Sequence, residues 1–285
     1  MAALRQIQRL GGTRLLLGGA WLLSRLGFTG AHYRRLSAVA SANYRSLIHD
    51  DRRINAGWIA RRRRILEQAA TWGQDKLTLA QIAACSQRLD DAVAELDTRK
   101  TPVILAPLHT VSDVIAAMVG AGVKPGRASV VVSASAAQFD EQSRQRGGVA
   151  LEYCSINQDN PRLATQLMSL MVDVKTGQQN LIIFPDITPD YTEHGTRGGA
   201  DKFPCRLFGL PARLHNGVVR LSAAIGAQII FYRLHYRGGI GIDILPPVAA
   251  ADAAARLPEI IESTLRDYPD DWLLWHSHSL YFINN

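Results

Sequence analysis

Pro102-Val103-Ile104-Leu105-Ala106-Pro107-Leu108-His109-Thr110-Val111-Ser112-Asp113 is the stretch on which the reading of the fold turns. An apolar run rich in Val, Ile and Leu ends in His109, and a helix-compatible stretch over 111–119 follows it. The pattern predicts a buried strand that delivers an imidazole to its carboxyl end, with Asp113 four residues further on. In open α/β sheets, sites form where strands end and helices begin. A His beside a carboxylate can serve as general base, because the carboxylate fixes the tautomer and stabilises the imidazolium formed on proton transfer. The same residues also read as a capping His and a solvated Asp, and spacing alone favours that plainer reading.

Downstream, short apolar runs (103–108, 129–132, 151–155, 180–184) alternate with helical patterns (111–119, 136–146, 161–175). That alternation predicts the α/β class: a mostly parallel sheet covered by helices on both faces. The run over 180–184 ends in Phe184-Pro185-Asp186, so Asp186 is placed on the same sheet edge as His109. A polar stretch over 186–203 with Gly195, Gly198 and Gly199 reads as a mobile loop over that edge. After it come a helix from about 214 to 225, strands over 228–235 and 240–245, and two closing helices. The last of these is expected to carry Trp272-Leu-Leu-Trp275-His276-Ser-His278.

Upstream the chain is different in character. Residues 1–64 hold 13 Lys and Arg against 2 Asp and Glu, a net of +11, whereas the remainder holds 19 against 23, a net of −4. A basic block suits anionic lipid or nucleic acid, and its interleaving with Leu and Trp favours lipid. Within 5–35, the core Leu15-Leu-Leu-Gly-Gly-Ala-Trp21-Leu-Leu23 is bounded by Arg14 and Arg25. It is shorter than the roughly 20 apolar residues of a membrane span. A helix lying in the interface, a marginal anchor with snorkelling arginines, a secretory signal and a helix packed on the protein all remain open. Residues 34–72 look helical throughout, and Arg61-Arg62-Arg63-Arg64 reads as a solvated collar beside a membrane; 78–96 is another amphipathic helix. The expected organisation is therefore a membrane-association helix over 1–35 and an α/β domain over 36–285, with 36–100 a helical lead-in.

Three cysteines form no CxxC pair and point to a reduced compartment. The chain carries no GxSxG, P-loop or dinucleotide glycine fingerprint. His276 and His278 are two apart and make poor joint metal ligands, so no metal site is expected. No nucleic-acid recognition module accompanies the basic block, and nucleic acid is not an expected partner.

The segment Phe203-Pro-Cys-Arg-Leu-Phe208-Gly209-Leu-Pro211-Ala212, continued by Gly217-Val-Val-Arg-Leu-Ser-Ala-Ala-Ile-Gly226-Ala227, resembles a segment of the bacterial lipid A late acyltransferases. These form the lauroyl/myristoyl-transferase branch of the glycerolipid acyltransferase fold. Tyr268-Pro269-Asp-Asp-Trp272-Leu-Leu-Trp275-His276 is similar to the family's closing Pro-x-x-Trp-x-Trp-x-His, and the order of parts also agrees. One departure stands out. The family's signature is His, four residues, then Asp or Glu; here Asp113 follows His109 after three, and Val114 holds the acid position. One residue is ~100° of rotation on a helix.

The resemblance implies an αβα sandwich of the glycerolipid-acyltransferase type with an N-terminal helical membrane-association region. It implies transfer of an acyl group from an acyl carrier protein or coenzyme A thioester to a hydroxyl or amine of a lipid or glycolipid. The place would be the cytoplasmic face of the inner membrane, against anionic lipid, and no bound cofactor is implied. His109 would be the general base, with Asp113 its expected partner and Asp186 the alternative. Arg197, Lys202, Arg206 and Arg213 are candidates for donor or acceptor phosphate contacts. The altered spacing leaves two further expectations: transfer of a small or aminoacyl group, or an inactive membrane-bound relative acting as a partner subunit.

Overall fold

The computed structural model describes residues 12–28, 30–97, 101–132, 150–155, 163–186 and 202–276. The apolar run after Pro102 forms β1 (Val103–Pro107), with Ile104, Leu105 and Ala106 wholly buried. Successive residues of a strand face opposite sides. Accordingly, Ile104 and Ala106 join one apolar cluster and Leu105 joins the other. A strand apolar on both faces needs cover on both faces.

Its neighbours are β2 (Arg127–Val132), β3 (Ala150–Ser155), β4 (Asn180–Ile182) and β7 (Gln228–Tyr236), in the order β3-β2-β4-β1-β7. All four pairings are parallel, and β4 and β7 flank β1 directly. The edge is completed by β8 (Ile240–Ile244) and the short β9 (Val248–Ala249), both antiparallel to β7. The molecule is thus a mixed α/β structure around a mostly parallel sheet, as the alternation of runs predicts.

Helices α3 (Ala56–Gln68), α4 (Lys76–Asp97) and α5 (Asp113–Ala121) contribute to the cluster on one face. On the other lie residues of α2 (Gly30–Ile48), α6 (Leu163–Lys175), α7 (Gly217–Ile225) and α8 (Ala253–Asp267). Close approach of α5 to the sheet depends on Gly120, where a Cβ would fall 2.7 Å from the Tyr232 hydroxyl and 2.9 Å from Ile182 Cδ1. The Tyr232 hydroxyl in turn donates to the Ala116 carbonyl at 2.8 Å.

Several expectations need correction. The helical stretch over 34–72 is broken at 49–55, where His49 takes a positive φ and Asn55 caps α3 by accepting from Trp58 N–H. The segment around Pro211 is a hairpin, β5 (Lys202–Leu207) with β6 (Leu210–His215), so α7 begins after it. Its two-residue loop, Phe208-Gly209, has both φ angles positive (49° and 77°), the mirrored turn that suits the twist of a hairpin. Trp272 to His276 forms no helix; it is a strap of turns after α8. The collar is not uniformly solvated, since Arg62 is 1 % exposed. The helix expected over 136–146 and the loop over 187–201 lie outside the described residues.

At the N-terminal end, α1 (Thr13–Arg25) packs along α3, burying Thr13, Leu17, Ala20 and Ser24 and leaving Leu15, Trp21, Leu22 and Leu23 exposed. No helix among the described residues is long and apolar enough to cross a membrane. Replacing Gly120 by Leu should force α5 off the sheet and lower stability by about 1–3 kcal/mol, the usual penalty of overpacking. Urea denaturation at unchanged m-value is the measurement; a midpoint equal to wild type would contradict the packing described.

Candidate active site

Two adjacent parallel strands end side by side. Leu108 N–H continues the ladder beyond β1 onto Tyr232 O, and Ile183 N–H continues it beyond β4 onto Leu105 O. One and three residues further on, these strands deliver His109 and Asp186 to the same edge. His109 Nδ1 lies 2.7 Å from Asp186 Oδ1, with the two side chains 10 % and 1 % exposed. The Asp186 carboxylate also accepts from the His109 backbone N–H and the Trp272 indole N–H, both at 2.9 Å. The nearby Phe184 ring lies 4.5 Å from the imidazole, centroid to centroid.

Burial alone would raise the Asp186 pKa, but the charge and hydrogen bond of His109 and the indole bond outweigh it and hold the carboxyl below its ordinary range. Burial alone would lower that of His109, but the Asp186 charge and hydrogen bond prevail and raise it. An ionised Asp186 beside Nδ1 keeps the proton there, so the neutral imidazole presents Nε2 as its basic nitrogen. Among the described residues Nε2 makes no hydrogen bond. The pair is therefore a hydrogen-bonded base with an orienting carboxylate, able to accept a proton from a bound hydroxyl or amine.

Asp113 is not the partner of His109. The chain between them does not run straight into a helix. Thr110 N–H bonds Leu108 O at 2.7 Å, Ser112 N–H bonds Thr110 O at 2.6 Å, and Val111 takes φ 60°. Val is β-branched, and a positive φ there is strained. Ser112 then caps α5 by accepting from Ile115 N–H, so the helix starts at Asp113 rather than at 111. From that position Asp113 reaches Arg63 Nη2 at 2.6 Å and remains one-third exposed. Its charge still raises the His109 pKa, through a smaller effect than that of Asp186.

The strained turn is held from outside. Val111 N–H donates to Asp271 O and Leu273 N–H donates to His109 O, both at 2.8 Å, so the strap pairs antiparallel with the loop. The Asp271 carboxylate, wholly buried, lies 2.7 Å from Arg62 Nη1 and 2.9 Å from Arg237 Nη1. Arg62 sits 5.7 Å from both the Trp58 and the Tyr236 ring centroids and donates to Asp270 O at 3.0 Å. On the other side, Ser112 Oγ donates to Glu67 Oε1 at 2.8 Å, and Arg63 Nε reaches the same oxygen at 2.8 Å. Burial pushes the Glu67 carboxyl up, against the pull of Arg63.

Beside these residues is a cavity of about 280 Å³ lined by Arg63, Arg64, Glu67, Leu273, Trp275 and His276, with Leu36 and Ile59 among its apolar walls. Glu67 has no motif that marks it in the sequence, and the 61–64 arginine run and the 268–276 segment give no sign that Arg62 and Asp271 pair. The only signal for the strap is the Trp272-Leu-Leu-Trp275-His276 segment itself.

The expected phosphate ligands are not gathered here. Arg197 lies outside the described residues. Lys202, Arg206 and Arg213 stand on the β5–β6 hairpin, which packs on α8 through Phe208 N–H to Glu262 Oε1 and Arg266 over the Phe208 ring. Arg206 donates to Gly209 O within its own turn. None of the described contacts joins these three to His109. Among the described residues no three metal-ligating side chains converge. The cysteines are no activated nucleophiles: burial pushes the Cys85 thiol up to about 11 and raises those of Cys154 and Cys205. No known family model matches the chain, and no curated protein matches it.

Asp186→Asn should lower the His109 pKa, because burial then acts without the carboxylate charge, whereas Asp113→Asn should lower it only slightly. Titration of the imidazole by NMR distinguishes them; a larger shift in Asp113→Asn would overturn the pairing. The sign for stability follows. The stabilisation that goes with the raised His109 pKa is fully present below the ordinary 6.5 and is lost as pH rises through the raised value. The stabilisation that goes with the lowered Asp186 pKa is fully present above the ordinary 3.8 and is lost as pH falls through the lowered value.

Asp271→Asn should cost about 3–5 kcal/mol in urea denaturation, since Arg62 is left buried without its counter-charge. Glu259→Gln, which breaks the exposed Arg256–Glu259 pair, should cost less than about 1 kcal/mol. Equal losses in the two would contradict the role given to the buried pair.

Proposed function

We propose that the protein is a thioester-dependent acyltransferase of the glycerolipid-acyltransferase type, an αβα sandwich working at the cytoplasmic face of the inner membrane. The observation that carries this reading is the His109–Asp186 pair at the carboxyl edge of the sheet, with Nε2 as the basic nitrogen. The resemblance of the 203–227 and 268–276 segments to the lipid A late acyltransferases supplies the reaction class.

In this reading Nε2 of neutral His109 takes the proton from an acceptor hydroxyl or amine as its oxygen or nitrogen attacks the thioester carbonyl. Asp186 holds the ring and stabilises the imidazolium. The N–H groups of Asp113 and Val114, which as the first residues of α5 have no partners within the helix, are candidates to receive the oxyanion. Collapse of the tetrahedral intermediate breaks the carbon–sulfur bond, and the imidazolium returns its proton to the leaving thiolate. The donor is an acyl carrier protein or coenzyme A thioester, and the acceptor a lipid or glycolipid. A thioester is already activated, so the residues alone suffice for the step.

A second reading, transfer of a small or aminoacyl group by the same chemistry, is supported by the cavity at Glu67, whose carboxylate accepts from Ser112 Oγ. Charged groups from Arg63, Arg64 and Glu67 line it together with apolar walls, a setting suited to a short polar unit. The third expectation, an inactive relative, is disfavoured by a carboxylate 2.7 Å from the imidazole where a dead site needs none.

His109→Ala should retain the fold and lose transfer by at least about 10²-fold, the usual worth of a positioned base. The assay uses purified membranes with labelled acyl-carrier and coenzyme A thioesters. In the wild type, rate should fall as pH drops through the raised His109 pKa, because the imidazolium cannot accept a proton. Near-normal turnover by folded His109→Ala would remove the mechanism.

A further inference from the structure

Far from the His109 pair in sequence, α1, α2 and the 49–55 connection enclose an open cavity of about 530 Å³. Four arginines line it: Arg25 from the end of α1, Arg34 and Arg45 from α2, and Arg53 from the connection. Their gathering has a simple origin in the sequence, since no Asp or Glu occurs before Asp50. Among the described residues one carboxylate pairs with them, Asp51, which lies 2.8 Å from Arg45 Nε and is 91 % exposed. Arg25 stands 5.2 Å over the Trp21 ring, a contact that leaves its charge unneutralised. Among the described residues Arg34 and Arg53 make no ion pair.

The floor of this cavity is already satisfied. Ser37 Oγ donates to Tyr33 O and accepts from Ala56 N–H; Ser41 Oγ donates to Ser37 O and accepts from Ile54 N–H. Any ligand is therefore recognised by the guanidinium groups, whose planar forks match phosphate oxygens in pairs. Like charges lining one cavity with so little compensation repel one another in the free protein, and an anion relieves that repulsion.

The second observation lies at the rim. The same end of α1 exposes Leu22 (50 %), Leu26 (60 %) and Phe28 (67 %) beside Arg25. Apolar side chains next to a cluster of arginines suit a surface with charge outside and hydrocarbon beneath it. A nucleic acid would satisfy the arginines and leave Leu26 and Phe28 in water.

We propose that this cavity is a headgroup site: Arg25, Arg34, Arg45 and Arg53 take the phosphate of an anionic membrane lipid, while Leu22, Leu26 and Phe28 enter the bilayer beside it. The site is independent of the acyl-transfer reading. It would serve a protein of any activity at a membrane, and it gives that reading's membrane location a particular contact. With three positive charges left after Asp51, a doubly charged phosphate monoester should be preferred to a singly charged diester.

The test is sedimentation of the full chain with vesicles of phosphatidylcholine alone, with added phosphatidylglycerol, or with added phosphatidic acid. Wild type should bind in the order phosphatidic acid, phosphatidylglycerol, phosphatidylcholine. A basic residue at an anionic surface is worth about fivefold in partition, so Arg34→Gln with Arg53→Gln should lower binding to anionic vesicles about 25-fold and hardly change it on phosphatidylcholine. Arg34→Lys with Arg53→Lys should keep binding to anionic vesicles but weaken the preference for phosphatidic acid, because Lys cannot bind bidentately. Leu26→Ser with Phe28→Ser should weaken binding to all vesicles alike.

Unchanged binding by the Gln double variant overturns the site, as does equal binding to all three vesicles. Equally tight binding of glycerol 3-phosphate in solution would make it a soluble-phosphate site, and tighter binding of an RNA oligonucleotide would make it a nucleic-acid site; either overturns the proposal. All of these readouts are binding measurements. Their failure leaves the His109 assay unaffected, and loss of transfer in His109→Ala leaves them unaffected.

Discussion

The Arg62–Asp271 pair is the contact on which the arrangement around His109 depends. Two charges with 2 % and 0 % of their side chains exposed are tolerable only because each meets the other and further partners. Arg62 belongs to a helix on one side of the sheet, and Asp271 to a strap that follows the last helix. Their attraction brings the strap against the loop after β1, where it supplies Val111 with a carbonyl, His109 with an N–H and Asp186 with an indole. A turn with a β-branched residue at positive φ would relax if released. Here the surroundings over-determine it.

This explains how Asp186 and Asp113 divide their roles. Both are near enough to influence the imidazole, but only Asp186 bonds to it. A carboxylate with three N–H donors and almost no solvent is held ionised in one orientation, which fixes the tautomer of His109. Asp113 belongs instead to a chain of charges, Asp113–Arg63–Glu67, that ties α5 to α3 and meets the cavity wall. The site is thus a pair in the sheet with a polar network beside it.

How much of this could be read in advance depended on the range of the interaction. The parallel sheet was legible because runs such as 103–107 are apolar on both faces, a pattern that needs no partner to be recognised. His109 was legible for the same reason: it ends such a run. Its partner was less so. Asp186 is 77 residues away, and the nearer Asp113 looked better only while α5 was assumed to begin at 111; the left-handed Val111 shifts that start. The hairpin was missed although Phe203, Cys205, Leu207 and Ala212, Leu214 alternate with Pro204, Arg206 and Arg213, because two prolines argue against strands and its Phe208-Gly209 turn lacks the usual Asn or Asp. Arg62 was indistinguishable from its three neighbours, since only tertiary packing selects which of four adjacent arginines is enclosed.

The strap has a consequence for how the protein comes into being. A chain emerges from the ribosome from its N-terminus and folds as it lengthens. The residues that line the arginine cavity, 24–55, have all been made when barely a fifth of the chain has been synthesised. The imidazole and its carboxylate follow much later, and Trp272, which donates to that carboxylate, later still. A parallel sheet closed by such distant contacts assembles slowly. The nascent chain therefore carries these arginines long before it can hold His109 in place, so the proposed lipid contact and the assembled His109–Asp186 pair are separated in time by the order of synthesis itself.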